Sequence, residues 1–142
     1  MEYVKRESIN IKKVCDEPLF VEEWGGWIKI RRWSGRQRAD TLDLITKTYD
    51  ENGIDLGESQ GELDKKKIST YNAALPALNK LMASVAIDSI CDEEGNLIFD
   101  KEKPEDVAFV NEFDGDTLQK IFEEVSRQNG LHKDSTKKEI KN

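Results

Sequence analysis

A glycine pair, Gly25-Gly26, constrains this chain more than any other feature, because it sits between Leu19-Phe20-Val21-Glu22-Glu23-Trp24 and Trp27-Ile28-Lys29-Ile30-Arg31-Arg32-Trp33. Both flanks are rich in β-branched and aromatic residues, and a central Gly-Gly supplies the positive φ of a two-residue hairpin loop. The expected pairing sets Trp24 opposite Trp27, Glu22 opposite Lys29 and Val21 opposite Ile30. Side chains alternate faces along a strand. Leu19, Val21, Ile28 and Ile30 therefore share an apolar face, which belongs to the core. Phe20, Trp24, Trp27, Arg31 and Trp33 fall on the other face with the Glu22/Lys29 pair, and Arg31 can lie over Phe20.

A hairpin with one apolar face needs a covering layer, and the rest of the chain supplies helices. Ser34 suits an N-cap for a helix from Arg36 to Tyr49, with Ala39, Leu42, Ile45 and Tyr49 at helical spacing and Asn52-Gly53 as its stop. Residues 53–67, with three glycines and dense charge, read as a long mobile loop. The strongest helix runs from Ser69 or Thr70 to Ile90 on the stripe Tyr71, Ala74, Leu75, Leu78, Leu81, Met82, Val85 and Ser89. Pro76 within it predicts either a kink or a start near Leu75. Cys91–Phe99 reads as a helix end, a tight turn at Gly95 and a short strand. Pro104 opens a brief helix reaching Phe109–Phe113, with Val107 and Val110 inward. Asp116 can cap a last helix, striped by Leu118, Ile121, Phe122 and Val125 and ended by Asn129-Gly130. The fold class is α+β: a small antiparallel hairpin or sheet near the N-terminus, packed on a bundle of three to four helices. The hairpin's apolar face is expected against the helix bearing Leu75, Leu78, Met82 and Val85. Residues 1–17 form an N-terminal arm in which the Ile9/Ile11 alternation fits a short edge strand. Residues 18–131 make a single domain, and 132–142 a disordered, Lys-rich tail.

Charge and composition exclude much. With 29 acidic against 22 basic residues the net charge is −7, a field that repels phosphate and argues against nucleic-acid binding. No apolar run approaches the roughly 18–20 residues of a membrane span, and no apolar stretch follows the first charges as in a secretory signal. Cys15 and Cys91 stand in no metal or redox spacing, so a reducing cytoplasm is expected. The single histidine, His132, falls in the tail, which leaves catalytic triads and histidine-bound zinc without material. Asp50–Gly53 and Asp92–Asn96 misplace the glycine of a calcium loop. Carboxylates are abundant, and nothing marks one pair as apposed. No enzyme activity, cofactor or metal is expected. The aromatic hairpin face remains, and Trp24, Trp27, Arg31 and Trp33 are the candidate partner-binding residues. The alternative is that the same rings finish the core.

The order of motifs adds a resemblance. Val21-Glu22-Glu23-Trp24-Gly25-Gly26-Trp27-Ile28-Lys29-Ile30-Arg31 runs into Trp33-Ser34-Gly35-Arg36-Gln37-Arg38. Cys91-Asp92-Glu93-Glu94-Gly95-Asn96-Leu97-Ile98-Phe99, Glu105-Asp106-Val107 and the stretch from Leu118 to Asn129-Gly130-Leu131 follow. Over residues 18–131 this resembles the tail assembly chaperones of long-tailed phages and prophages. The resemblance implies a non-enzymatic protein of the host cytoplasm that holds the tape-measure protein soluble and is missing from the finished virion. It also implies self-association, and contact with the tail-tube protein through a frameshifted longer form. The competing reading is an acidic regulatory protein that associates with nucleic acid or mimics it, motivated by Arg31, Arg32, Arg36 and Arg38 beside aromatics and by the acidic surface.

Overall fold

The computed structural model describes residues 1–54 and 65–131, for residues 65–68 in backbone only. Most of the loop expected over 53–67, and all of the tail 132–142 with His132, lie outside the described residues. Strands β1 (Leu19–Val21) and β2 (Gly26–Ile30) pair antiparallel in the register Leu19↔Ile28, Phe20↔Trp27 and Val21↔Gly26. The expected Trp24–Trp27 register is therefore displaced. Glu22–Trp24 form a 3₁₀ turn, Gly25 follows at φ +60°, and its N–H donates to Glu22 O at 3.1 Å. That turn needs one left-handed residue instead of two, which frees Gly26 to extend and pair. The slip is even, so the side chains within β1 and β2 keep their faces. Leu19, Val21, Ile28 and Ile30 are all buried.

A third strand completes the sheet in the order β1-β2-β3. Strand β3 (Ile90–Cys91) pairs through Lys29↔Cys91 and Ile30↔Ile90. These two residues were expected to end a helix; their buried side chains instead close the free edge of β2. The arm contributes to the opposite edge. Cys15 N–H donates to Ile30 O and Arg32 N–H to Lys13 O, both at 2.8 Å, with Val14 bridging Arg31. Ile9 and Ile11, the expected edge strand, are exposed and unpaired with the sheet. The turn after β3 is held by Asp92, whose carboxylate accepts from the N–H groups of Glu94 (2.8 Å) and Asn96 (2.9 Å). Gly95, at φ +90°, lets this turn close over the arm: a Cβ there would lie 3.1 Å from Lys13 Cβ and from Val14 Cγ2.

Among the described residues there are four α-helices: α1 (Gly35–Glu51), α2 (Lys65–Ile87), α3 (Pro104–Asn111) and α4 (Gly115–Gln128). Ser34 caps α1 as expected, its hydroxyl accepting from Gln37 N–H at 3.1 Å. Helices α1 and α4 both stop through a left-handed glycine. Ile54 N–H reaches Tyr49 O and Leu131 N–H reaches Ser126 O, the long bonds of a Schellman motif. Helix α2 starts earlier than expected, at Lys65, and continues through Pro76. The cap of α4 is Asp114, which accepts from Asp116 N–H at 3.1 Å; Asp116 already lies inside the helix.

The core is built chiefly by α4 and the C-terminal half of α2. Leu118, Ile121 and Val125 are fully buried and share one cluster with Leu19, Val21, Ile28 and Ile30, while β1 lies against α4. Helix α2 adds Leu81, Val85, Ala86 and Ile87. The helix expected beneath the sheet packs instead chiefly on α3 and α4, the helix lying against β1 is α4, and Leu75 is exposed. Helix α1 packs on α2 through half-buried Ile45 and Tyr49; Ala39 and Leu42, expected inward, face solvent.

Candidate interaction surface

The four residues singled out from the hairpin separate in space. Trp33 is 9% exposed and belongs to the core. Its indole Nε1–H donates to Ser89 Oγ at 3.1 Å, and its backbone N–H donates to Asn129 Oδ1 at 2.8 Å. The chain leaves the sheet after Arg31, so strand alternation no longer sets the direction of this ring. Trp33 is thus removed from the exposed face. Trp27 is 67% exposed and packs edge-to-face on Phe20 at 5.1 Å between centroids. Arg31 lies apart from both and does not cover Phe20. It lines an open groove of about 770 Å³ between the start of α1 and residues 97–106, together with Arg36, Asp40, Asp88 and Lys101. Lys29, expected to pair with Glu22, donates to Asp16 O at 3.3 Å instead.

Trp24 is carried by the 3₁₀ turn to the end of α3. Its ring meets Phe113 edge-to-face at 4.9 Å, and Phe113 in turn meets Phe109 at 5.6 Å and Phe99 at 5.9 Å. Trp24 is 41% exposed and Phe109 61%, with Phe113 and Phe99 half-buried between and beneath them. Edge-to-face aromatic pairs contribute roughly 0.5–1.5 kcal/mol beyond area burial, so the cluster is a firm platform. The phenylalanines were missed from sequence, although Phe109 and Phe113 stand four apart; Phe113 lies just past the Asn111 end of α3, and its ring turns back onto Phe109.

The electrostatics of the two regions differ. In the groove, basic and acidic side chains alternate, and burial raises the Asp88 carboxyl pKa against the opposing pull of Lys101 and Arg31. Next to the rings of Trp24, Phe109 and Phe113 in the chain the charged residues are acidic, whereas Lys101 and Lys103 follow Phe99 and Lys120 donates to Phe20 O at 3.3 Å. Glu22 and Glu23 flank Trp24, Glu105 and Glu112 flank Phe109 along α3, and Asp114 follows Phe113; all five are exposed. Among the described residues none of the five takes part in an ion pair, and no three His, Cys, Asp or Glu side chains are grouped to hold a metal. Both cysteines are buried free thiols. No described helix is long and apolar enough to cross a membrane. The arrangement offers apolar rings and carboxylates outside ion pairs, the chemistry of adhesion to another chain. Comparison with protein-family models, curated proteins and solved structures yields no match.

Proposed function

We propose that this chain is a tail assembly chaperone of the kind found in long-tailed phages and prophages, binding the tape-measure protein and keeping it soluble in the host cytoplasm until the tube forms. The observation that carries the reading is the ordered run of motifs from Val21 to Leu131. The physical requirements agree with it. A long helical client with apolar stripes needs a holder that presents apolar area yet keeps the complex charged and soluble. Trp24, Trp27 and Phe109 are exposed on a chain of net charge −7. No catalytic role or cofactor enters the proposal; self-association and a frameshifted longer form that meets the tail-tube protein belong to it.

Co-expression with the tape-measure protein of the same phage or prophage is the test. The chaperone reading expects higher soluble yield of that protein and co-purification of the two. Unchanged yield with no co-purification overturns it. The regulatory alternative makes a different demand: salt-sensitive binding to DNA or RNA in the micromolar range, or competition with nucleic acid for a third protein.

A further inference from the structure

We infer that the platform formed by Trp24, Phe113 and Phe109 is a docking site for a cationic amphipathic helix. The inference rests on the chaperone reading for the identity of the client, and on the platform's own geometry and charge for the chemistry of the segment it takes.

Two exposed rings, Trp24 and Phe109, stand on either side of half-buried Phe113, at centroid steps of 4.9 and 5.6 Å. A helix rises about 5.4 Å per turn. Apolar side chains one turn apart on a single helix face therefore match the step from each ring to the next. Aromatic rings supported from beneath lose little entropy on docking, and truncating such an anchor costs the most in a typical interface. The backing by Phe99 and Phe113 gives these two rings that support.

Charge selects the occupant. Glu22 and Glu23 precede Trp24, Glu105 and Glu112 stand one turn before and after Phe109, and Asp114 follows Phe113, all exposed and outside any ion pair among the described residues. A second copy of this chain would bring the same acidic rim and a net charge of −7, so like charges would meet across the contact. A segment with Lys or Arg beside its apolar stripe meets opposite charge instead, which steers its approach and fixes its orientation. The Trp27–Phe20 pair lacks this row of backed rings and lies outside the proposed site.

The experiment uses the full chain and a fluorescently labelled helical peptide with leucines one and two turns apart and lysines on both sides of that stripe. Anisotropy should report saturable binding that weakens as salt screens the rim. Phe109→Ala should weaken it by at least about tenfold at a temperature well below the variant's own melt, which the loss of the ring contacts with Phe99 and Phe113 lowers modestly. Glu23→Gln combined with Glu112→Gln should weaken it and flatten its salt dependence, and Trp27→Ala should leave it unchanged. Equal binding of a peptide with glutamates in place of the lysines overturns the inference, as does indifference to Phe109→Ala or to the rim substitutions. Co-expression separates the two levels. If wild type and Phe109→Ala solubilise the tape-measure protein equally, the chaperone reading stands and the site falls. If neither does, the chaperone reading falls and the peptide titration alone judges the site.

Discussion

Trp33 donates its indole N–H to Ser89 inside the core, whereas Trp27 leaves most of its ring in solvent, so the two respond differently to truncation. Trp33→Phe keeps the apolar bulk but leaves the fully buried Ser89 hydroxyl without that donor. A loss of about 1–3 kcal/mol in urea unfolding is expected. Trp27→Ala gives up only the edge-to-face contact with Phe20 and should cost about 0.5–1.5 kcal/mol in the same measurement. Cys91 gives a second residue-scale outcome. Burial first, and then the Asp92 charge, push its thiol up to about 11 from an ordinary 9.0. The folded state therefore holds this proton more tightly than the unfolded chain. The associated stability is fully present below pH 9, declines as pH rises above that value and is lost once pH has passed about 11. Unfolding free energies measured between those limits should fall with pH in wild type and fall less steeply in Cys91→Ala. Native Cys15 and Cys91, both buried, should also resist a thiol reagent until denaturant is added.

Helix α4 ends on a side chain that does more than stop it. Asn129 accepts from Trp33 N–H at 2.8 Å and donates through Nδ2 to Arg31 O (3.2 Å) and Val125 O (3.0 Å), tying the last helix to the end of β2. Asn129→Ala removes these bonds, together with the long contact from Cys15 Sγ to Oδ1, and should cost about 1–3 kcal/mol; Asn129→Asp, which retains the acceptor and loses the donor, should recover part of it. From sequence, Asn129-Gly130 is legible as a helix stop and nothing more, because a local cap signal carries no information about which distant backbone the amide will reach. The same limit runs through the fold. The apolar stripe of α4, the Ser34 cap and the buried face of β1 and β2 are legible, since each depends on residues within one or two turns of chain. The hairpin register is not, because a Gly-Gly pair fits two loop types and the choice rests on Glu22 O accepting from Gly25 N–H. Nor is β3, whose two residues become strand by finding the edge of β2. The site follows the same logic. Trp24 and Trp27 are recognisable as exposed candidates, but the partnership of Trp24 with Phe113 joins residues far apart in the chain.

Across the whole molecule, the segment leading into β1 is fastened to the end of α4. Glu17 pairs with Arg127, and its backbone oxygen accepts from Gln128 Nε2 at 3.0 Å. The Cys15 region runs along β2, and β2 is in turn held by Asn129. The sheet is therefore an early part of the sequence whose floor, α4, is a late one. A chain stopped at Asn111 should fail to give a cooperative melt and should expose Leu19, Val21, Ile28 and Ile30 to a hydrophobic dye, while one stopped at Leu131 should melt cooperatively. This has a consequence for the time course of synthesis. Strands β1 and β2 leave the ribosome first and then wait while the chain through α4 is translated, on the order of 5–20 seconds at usual elongation rates. For that interval their apolar face has no native cover, and native contacts of such long sequence separation close slowly. The newborn chain is thus most prone to stick to its neighbours on a polysome before its last helix arrives, and translational pausing upstream of Gly115 would lengthen that exposure.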